Sequence, residues 1–279
     1  MSVKSILTVV KDPGADAQAL EASAAMASAR DAHLKVLCLG LDRTHPGVYY
    51  AGANAMALKH NLDQAKDEAQ EAETAVRTRL KAEMIAWEAA PAVAQLETVA
   101  ALVAQESRYA DLVMLPRPYG EDRGAEDVAV AEAALFGGRA PVLVVPPAQT
   151  MNVSPRNVLV AWDESAEALV AARRALPFLQ QADRVTVTLV DPPAHGPERS
   201  DPGGPLCQML VRHGVKTEVS VLARTMPRVS DVLIRAARDT EADMIVMGAY
   251  GHSRFRESIL GGATRHMLEQ ADLPVLMAH

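Results

Sequence analysis

Ala242-Asp243-Met244-Ile245-Val246-Met247-Gly248-Ala249-Tyr250-Gly251, running on through His252-Ser253-Arg254 to Gly261-Gly262-Ala263-Thr264, is the stretch on which the fold reading turns. It begins with a short continuous apolar run, as expected of a strand covered on both faces, and such runs belong to parallel sheets. Glycine follows where the strand should end, and a helical pattern starts near Gly262. The run also has an echo upstream in Ala110-Asp111-Leu112-Val113-Met114.

Working outward from that pair, the whole chain repeats itself. Ile6-Leu7-Thr8-Val9-Val10 opens one copy and Val158-Leu159-Val160-Ala161-Trp162 opens the other, each followed by an Ala-rich stretch at helical spacing. Pro141-Val142-Leu143-Val144-Val145 closes the first and Pro274-Val275-Leu276-Met277-Ala278 the second. The repeat is roughly 135 to 150 residues long, well beyond solenoid repeats of about 20 to 50, so each copy is a domain. Domains are expected over residues 1–148 and 155–279, joined by a proline-rich linker that includes Pro146, Pro147 and Pro155.

In the second copy, strands are expected near 157–162, 185–190, 216–222, 243–247 and 274–278, with helices at 165–180, 205–213, 228–239 and 262–271. The first copy follows the same plan, with its second helix extended over residues 52 to 83. The expected class is therefore α/β, with two tandem doubly wound, Rossmann-like domains, each a five-stranded parallel sheet with helices on both faces.

Composition narrows the function. The 279 residues are 49% hydrophobic, yet no apolar run approaches the ~20 residues of a membrane span, so no membrane partner is expected. The N-terminal residues run straight into a strand without a secretory pattern, and a cytoplasmic location is expected. A net charge of −7 without a basic cluster excludes nucleic acid as the expected partner. Cys38 and Cys207 read as buried thiols. The histidines, His45, His60, His195, His213 and His252 among them, show no metal-site spacing.

In open α/β sheets ligands bind beyond the carboxyl ends of the strands. There, Gly248 and Gly251 let the backbone approach a ligand, and Gly261-Gly262 opens a helix whose free amides and dipole favour an anion. His252, Arg254 and the Thr264 hydroxyl add donors for phosphate oxygens. Asp163 reads either as a ligand contact or as a helix cap, and Trp162 either as core or as a pocket wall.

The Gly-x2-Gly-x9-Gly spacing from Gly248 to Gly261, closed by Pro274-Val275-Leu276, resembles the signature of the universal stress protein family, over the second half of the chain. The resemblance implies an ATP-binding domain with a regulatory role in the stress response, the nucleotide bringing its own magnesium ion. It places Ala161, Asp163 and Val190 against the adenosine, Met247, Gly248 and Gly251 under ribose and phosphates, and Gly261, Gly262, Ala263 and Thr264 around the phosphate tail. Gly262 stands where the family has Ser or Thr, a loss of about 0.5 to 1.5 kcal/mol of hydrogen bonding. The resemblance also implies that the closing strands meet across a pseudo-twofold axis, a pseudo-dimer within the chain, with a homodimer as a further option.

Counting back from the closing strands, Gly248, Gly251 and Gly261 fall near Leu115, Pro118 and Val128 in the first copy. Glycines are absent there, prolines remove amide donors, and Glu121, Asp122, Glu126 and Asp127 would repel phosphate. Lys11 takes the place of Asp163, with Asp12 one residue away. The first half is therefore expected to be degenerate, with nucleotide in the second half alone. The alternative is an interaction scaffold that binds no nucleotide and only an as yet unknown protein partner. An enzyme is not expected, because no P-loop Lys-Ser/Thr pair, magnesium carboxylate cluster or nucleophile-base arrangement is present. The segments 42–53, with Tyr49 and Tyr50, and 191–205 read as loops over strand ends.

Overall fold

The computed structural model describes residues 2–44, 54–147, 151–192, 201–249 and 262–279, without the side chains of residues 54 and 55. Two compact units emerge: Val3–Pro116 with Glu121–Ala140, and Arg117–Gly120 with Pro141–His279 and Ser2.

The first unit runs β1 (Ser5–Val10), α1 (Ala17–Arg30), β2 (His33–Asp42), α2 (Asn54–Leu80), β3 (Trp87–Gln95), α3 (Leu96–Ser107), β4 (Leu112–Pro116) and α4 (Ala125–Glu132), with a π-helical turn over Ala133–Gly138. Its strands lie in the order β3-β2-β1-β4, all parallel. The second unit contains β5 (Val142–Val145), β6 (Asn157–Ala161), α5 (Ala166–Arg174), α6 (Leu176–Leu179), β7 (Arg184–Val190), α7 (Gly204–Arg212), β8 (Thr217–Leu222), α8 (Val229–Asp239), β9 (Met244–Gly248), α9 (Gly262–Gln270) and β10 (Val275–Ala278). Its order is β5-β10-β9-β6-β7-β8. The strands of the second sequence copy are mutually parallel, and β5 joins antiparallel to β10 through Val144↔Val275.

This is the doubly wound α/β arrangement. From β6 the chain winds one way through β7 and β8, then returns to the other flank of β6 for β9 and β10. Right-handed crossovers therefore put α5 and α7 on one face and α8 and α9 on the other. Val185, Val187, Ile245 and Val246 are fully buried, as continuous apolar strands covered on both faces must be.

One carboxylate per unit fixes the jump between non-sequential strands. Asp243, just ahead of β9, accepts the amide N–H groups of Arg156 (2.6 Å) and Asn157 (2.9 Å) and donates its own amide to Asn157 O (2.8 Å). Asp111 does the same for the first unit, accepting from Lys4 (2.9 Å) and Ser5 (3.0 Å). The Ala-Asp echo in the sequence is thus a clamp that starts β1 beside β4 and β6 beside β9.

Three expectations are corrected. The stretch 165–180 is not one helix: α5 stops at Arg174 and α6 starts at Leu176, because Pro177 has no N–H and its ring would collide with the preceding turn. The long helix of the first copy ends at Leu80 rather than near 83, and residues 52 and 53 at its expected start lie outside the described residues. Cys38 is fully buried, and burial pushes its thiol up to about 12, but Cys207 is only half-buried, its Sγ 3.6 Å from Thr217 Oγ1. Among the described residues no helix is long and apolar enough to cross a membrane.

Asp243→Ala leaves two main-chain donors at the start of β6 without their charged acceptor. It should lower stability by about 1 to 3 kcal/mol, read as a drop in the urea midpoint at unchanged slope.

Candidate functional site

The carboxyl ends of β6 and β9 lie side by side, with Val160 opposite Val246, at the point where the winding direction reverses. Ala161 ends β6 half-buried, and the Trp162 amide continues the ladder onto Thr188 O at 2.9 Å. The Trp162 side chain is buried at 7% exposure, so it belongs to the core, yet its Nε1–H has no hydrogen-bond partner among the described residues. A buried indole N–H ordinarily finds an acceptor.

Asp163 is exposed and turns its Oδ1 onto Ser165, accepting the amide at 3.1 Å and the hydroxyl at 2.5 Å. Ser165 Oγ in turn accepts the Ala168 amide at 3.1 Å. The cap of α5 is therefore Ser165, with Asp163 holding it in place, and one oxygen of Asp163 remains outside that turn. Val190 closes β7 half-buried, paired with Leu222 of β8, and Met247 is buried in β9.

Gly248 has a packing reason of its own. A Cβ there would lie 2.5 Å from Ala168 N and 2.8 Å from Glu167 C, so the glycine admits the first turn of α5 against the end of β9. Gly262 is the opposite case: among the described residues a Cβ there meets nothing within 4 Å. It opens α9 beside exposed Ala263 and buried Thr264. Because α9 returns towards the start of β10, its amino end faces the same edge as the ends of β6 and β9. Gly251, His252, Arg254 and Gly261 lie outside the described residues, as do His45, Tyr49, Tyr50 and His195.

On the amino-proximal half of α9 and the start of α8, Ser230 Oγ lies 2.8 Å from His266 Nδ1 and Asp231 Oδ1 lies 3.4 Å from the same nitrogen. A nucleophile-base-orienter relay needs the two partners on different ring nitrogens, and Ser230 is fully buried. This trio packs α8 against α9. Among the described residues no group of His, Cys, Asp and Glu converges as a metal site.

In the first unit the corresponding edge is filled by its own charges. Strand register sets Thr8 opposite Met114 as it sets Val160 opposite Val246, so Pro116 rather than Leu115 takes the place of Gly248. Lys11, at the position of Asp163, reaches Asp127 Oδ2 at 2.9 Å and Glu126 Oε1 at 3.4 Å. Arg123 bridges Asp16 Oδ1 at 2.6 Å and Asp127 Oδ1 at 3.2 Å. Asp127 also accepts the Gly124 amide at 2.8 Å, so the amino end of α4 already holds an anion. Burial opposes the charge on Arg123, but Asp16 and Asp127 outweigh it and hold the guanidinium above its usual range.

Asp12 does not slip into the place of Asp163. Its Oδ1 accepts Gly14 N at 2.8 Å and Ala15 N at 3.0 Å, and those amides hold its carboxyl below the usual range. The gap left among Val9, Lys11, Asp16, Leu115, Pro116, Asp127 and Val130 is ≈ 10 Å³, about one water. A larger cavity of ≈ 210 Å³ at the end of β2 is lined by Asp42, Glu97 and Glu126. Its cation, Arg43, is paired with Glu68 at 2.8 Å.

A doubly wound unit with an open helix start at its winding reversal belongs to the class of α/β ligand-binding domains. The comparisons narrow that class. Residues 155–279 match the profile of the Universal stress protein family, a match confined to the second half of the chain. A universal stress protein of Synechocystis sp. is 30% identical over 142 residues, 48% of this chain and 45% of that protein. The chain thus spans a little under half the length of this curated relative. The crystal structure of a universal stress protein from Archaeoglobus fulgidus superposes with a TM-score of 0.71 at 16% identity, over 98% of this chain and 97% of the other. A Pseudomonas aeruginosa protein described as functionally unknown gives 0.56 at 17% identity, over 99% and 92%. At these identities the likeness shows the fold.

Arg123→Ala removes the one cation paired with Asp16, leaving it the Lys11 and Asp12 amides, and leaves Asp127 with Lys11 and the Gly124 amide. Side-chain exposures of 10%, 1% and 5% for Arg123, Asp16 and Asp127 make this a buried network. The expected loss is about 3 to 5 kcal/mol, measured by urea unfolding at neutral pH.

Proposed function

We propose that the second unit binds an adenine nucleotide, with ATP the leading candidate, and that the chain is a cytoplasmic stress-response regulator rather than a catalyst. The observation that carries this reading is the open start of α9. Gly262 and Ala263 are exposed, no described atom fills the space above Gly262, and the sequence of the preceding segment supplies Gly248, Gly251 and Gly261.

Free amides and the positive end of the helix dipole suit a phosphate tail there. His252 and Arg254 would add donors on sequence grounds. The base would lie towards Ala161, Asp163, Val190 and Met247, and the Trp162 Nε1–H, without a partner among the described residues, is a donor in that neighbourhood. Any magnesium ion would be carried by the phosphates of the nucleotide.

The first unit stands as a structural or regulatory partner domain. Its cations are already neutralised by Asp16, Glu126 and Asp127, so a polyphosphate gains little there and meets three carboxylates. A second reading is an interaction scaffold without nucleotide. It is favoured by Gly248, whose lack of a side chain is explained by α5 alone.

Denaturing the purified chain and analysing the supernatant by mass spectrometry should release one adenine nucleotide per chain, or calorimetry should detect ATP binding to the stripped protein. Gly262→Asp separates fold from ligand. An acidic side chain in the first turn favours the helix and has room, so the melting temperature should hold while ATP affinity falls at least tenfold. Unchanged affinity would refute the seat, and no nucleotide in either assay would leave the scaffold reading.

A further inference from the structure

Arg117-Pro118-Tyr119-Gly120 occupies the stretch where the first copy would carry its glycine loop, and it packs as part of the second unit. The Arg117 amide donates to Val145 O at 3.1 Å, at the end of β5. Its guanidinium Nε donates to Tyr119 O at 3.1 Å, closing the loop on itself, and Nη1 donates to Glu269 O at 3.3 Å in the last turn of α9. A cation on that carbonyl satisfies a helix-end acceptor and complements the dipole.

One turn earlier, Arg265 lies over the Tyr119 ring, 5.5 Å from its centroid, and is steadied by Glu269 Oε1 at 2.7 Å. Pro118 is buried, and Gly120 leaves the loop at φ +134°, a conformation that favours glycine. On the inner side of α9, Met267 and Leu268 meet Arg117, Val144 and Pro146 with no water-sized space between them.

The loop therefore grips α9 from Arg265 to Glu269, directly after the residues whose amides form the proposed phosphate seat. A helix rises about 1.5 Å per residue, so seat and grip are ends of one rod about 10 Å long. We infer that Arg117 and Tyr119 are positioning residues for the nucleotide seat: they set the orientation of α9, and through them occupancy of the seat is felt in the segment bonded to Pro116 and Glu121 of the first unit. The inference rests on the nucleotide reading above. It gives the altered loop of the first copy a regulatory task in place of the binding task it has lost.

The test is ATP affinity by calorimetry for the full chain and for Arg117→Ala, Tyr119→Ala and Tyr119→Phe, with circular dichroism confirming that each folds. Arg117→Ala and Tyr119→Ala should each weaken ATP at least fivefold, the lower range of site-to-site coupling. Tyr119→Phe keeps the ring face under Arg265 and should stay within twofold of the unaltered chain. Coupling is reciprocal, so saturating ATP should slow hydrogen exchange at the Arg117 amide by the factor that the loop contributes to affinity. If the unaltered chain binds ATP and both alanine variants bind equally well, the coupling is wrong and the nucleotide reading survives. If the unaltered chain binds no ATP, both are wrong.

Discussion

Everything at the candidate site depends on β6 lying beside β9, two strands distant in sequence within the unit, and that adjacency is held by the Asp243 carboxylate on the amides of Arg156 and Asn157. A charged acceptor on two main-chain donors fixes both position and register, which a hydrophobic contact between strands alone does not. With β6 and β9 in register, the chain has to leave on one side for β7 and on the other for β10. The crevice at their carboxyl ends follows from that split. Asp111 repeats the arrangement on Lys4 and Ser5, so the first unit has the same frame and the same edge.

On that shared frame the two copies solve the helix-start problem in opposite ways. The amino end of a helix following the fourth strand presents free amides and positive potential, and something negative must answer it. In the first unit the answer is internal: Asp127 bonds the Gly124 amide and is itself balanced by Lys11 and Arg123. In the second unit the first turn of α9 carries Gly262, Ala263 and Thr264, with no acidic residue. Burying Asp16, Asp127 and Arg123 carries a desolvation cost of several kcal/mol per ion, and their mutual pairing must offset it.

The sequence carried the repeat, the strand runs and the α/β class plainly, because buried parallel strands leave little choice but Val, Leu and Ile. Element ends were less legible. The break at Ala175 was marked by Pro177 and could have been read from it. The one-residue shift from Leu115 to Pro116 arises because counting back from the closing strands assumes equal connections; the nearer echo of Asp111 and Asp243 pairs Gly248 with Pro116, as the strand register does. Gly248 is the instructive case: a glycine at a strand exit looks like ligand clearance, yet close approach of α5 accounts for it. The role of Arg117 and Tyr119 was invisible, because the residues they touch are about 150 positions away in the chain.

The two described glycines of the motif therefore carry different weight. A glycine whose missing side chain is already replaced by protein atoms is explained without a ligand, and Gly248 is such a residue. Gly262 is not: it opens α9, and no described atom lies within 4 Å of where its Cβ would be. Room beside a helix start is what the anion seat proposed above requires. The grip of Arg117 and Tyr119 on the same helix fits that account, since the main-chain donors of such a seat move only with the helix that carries them.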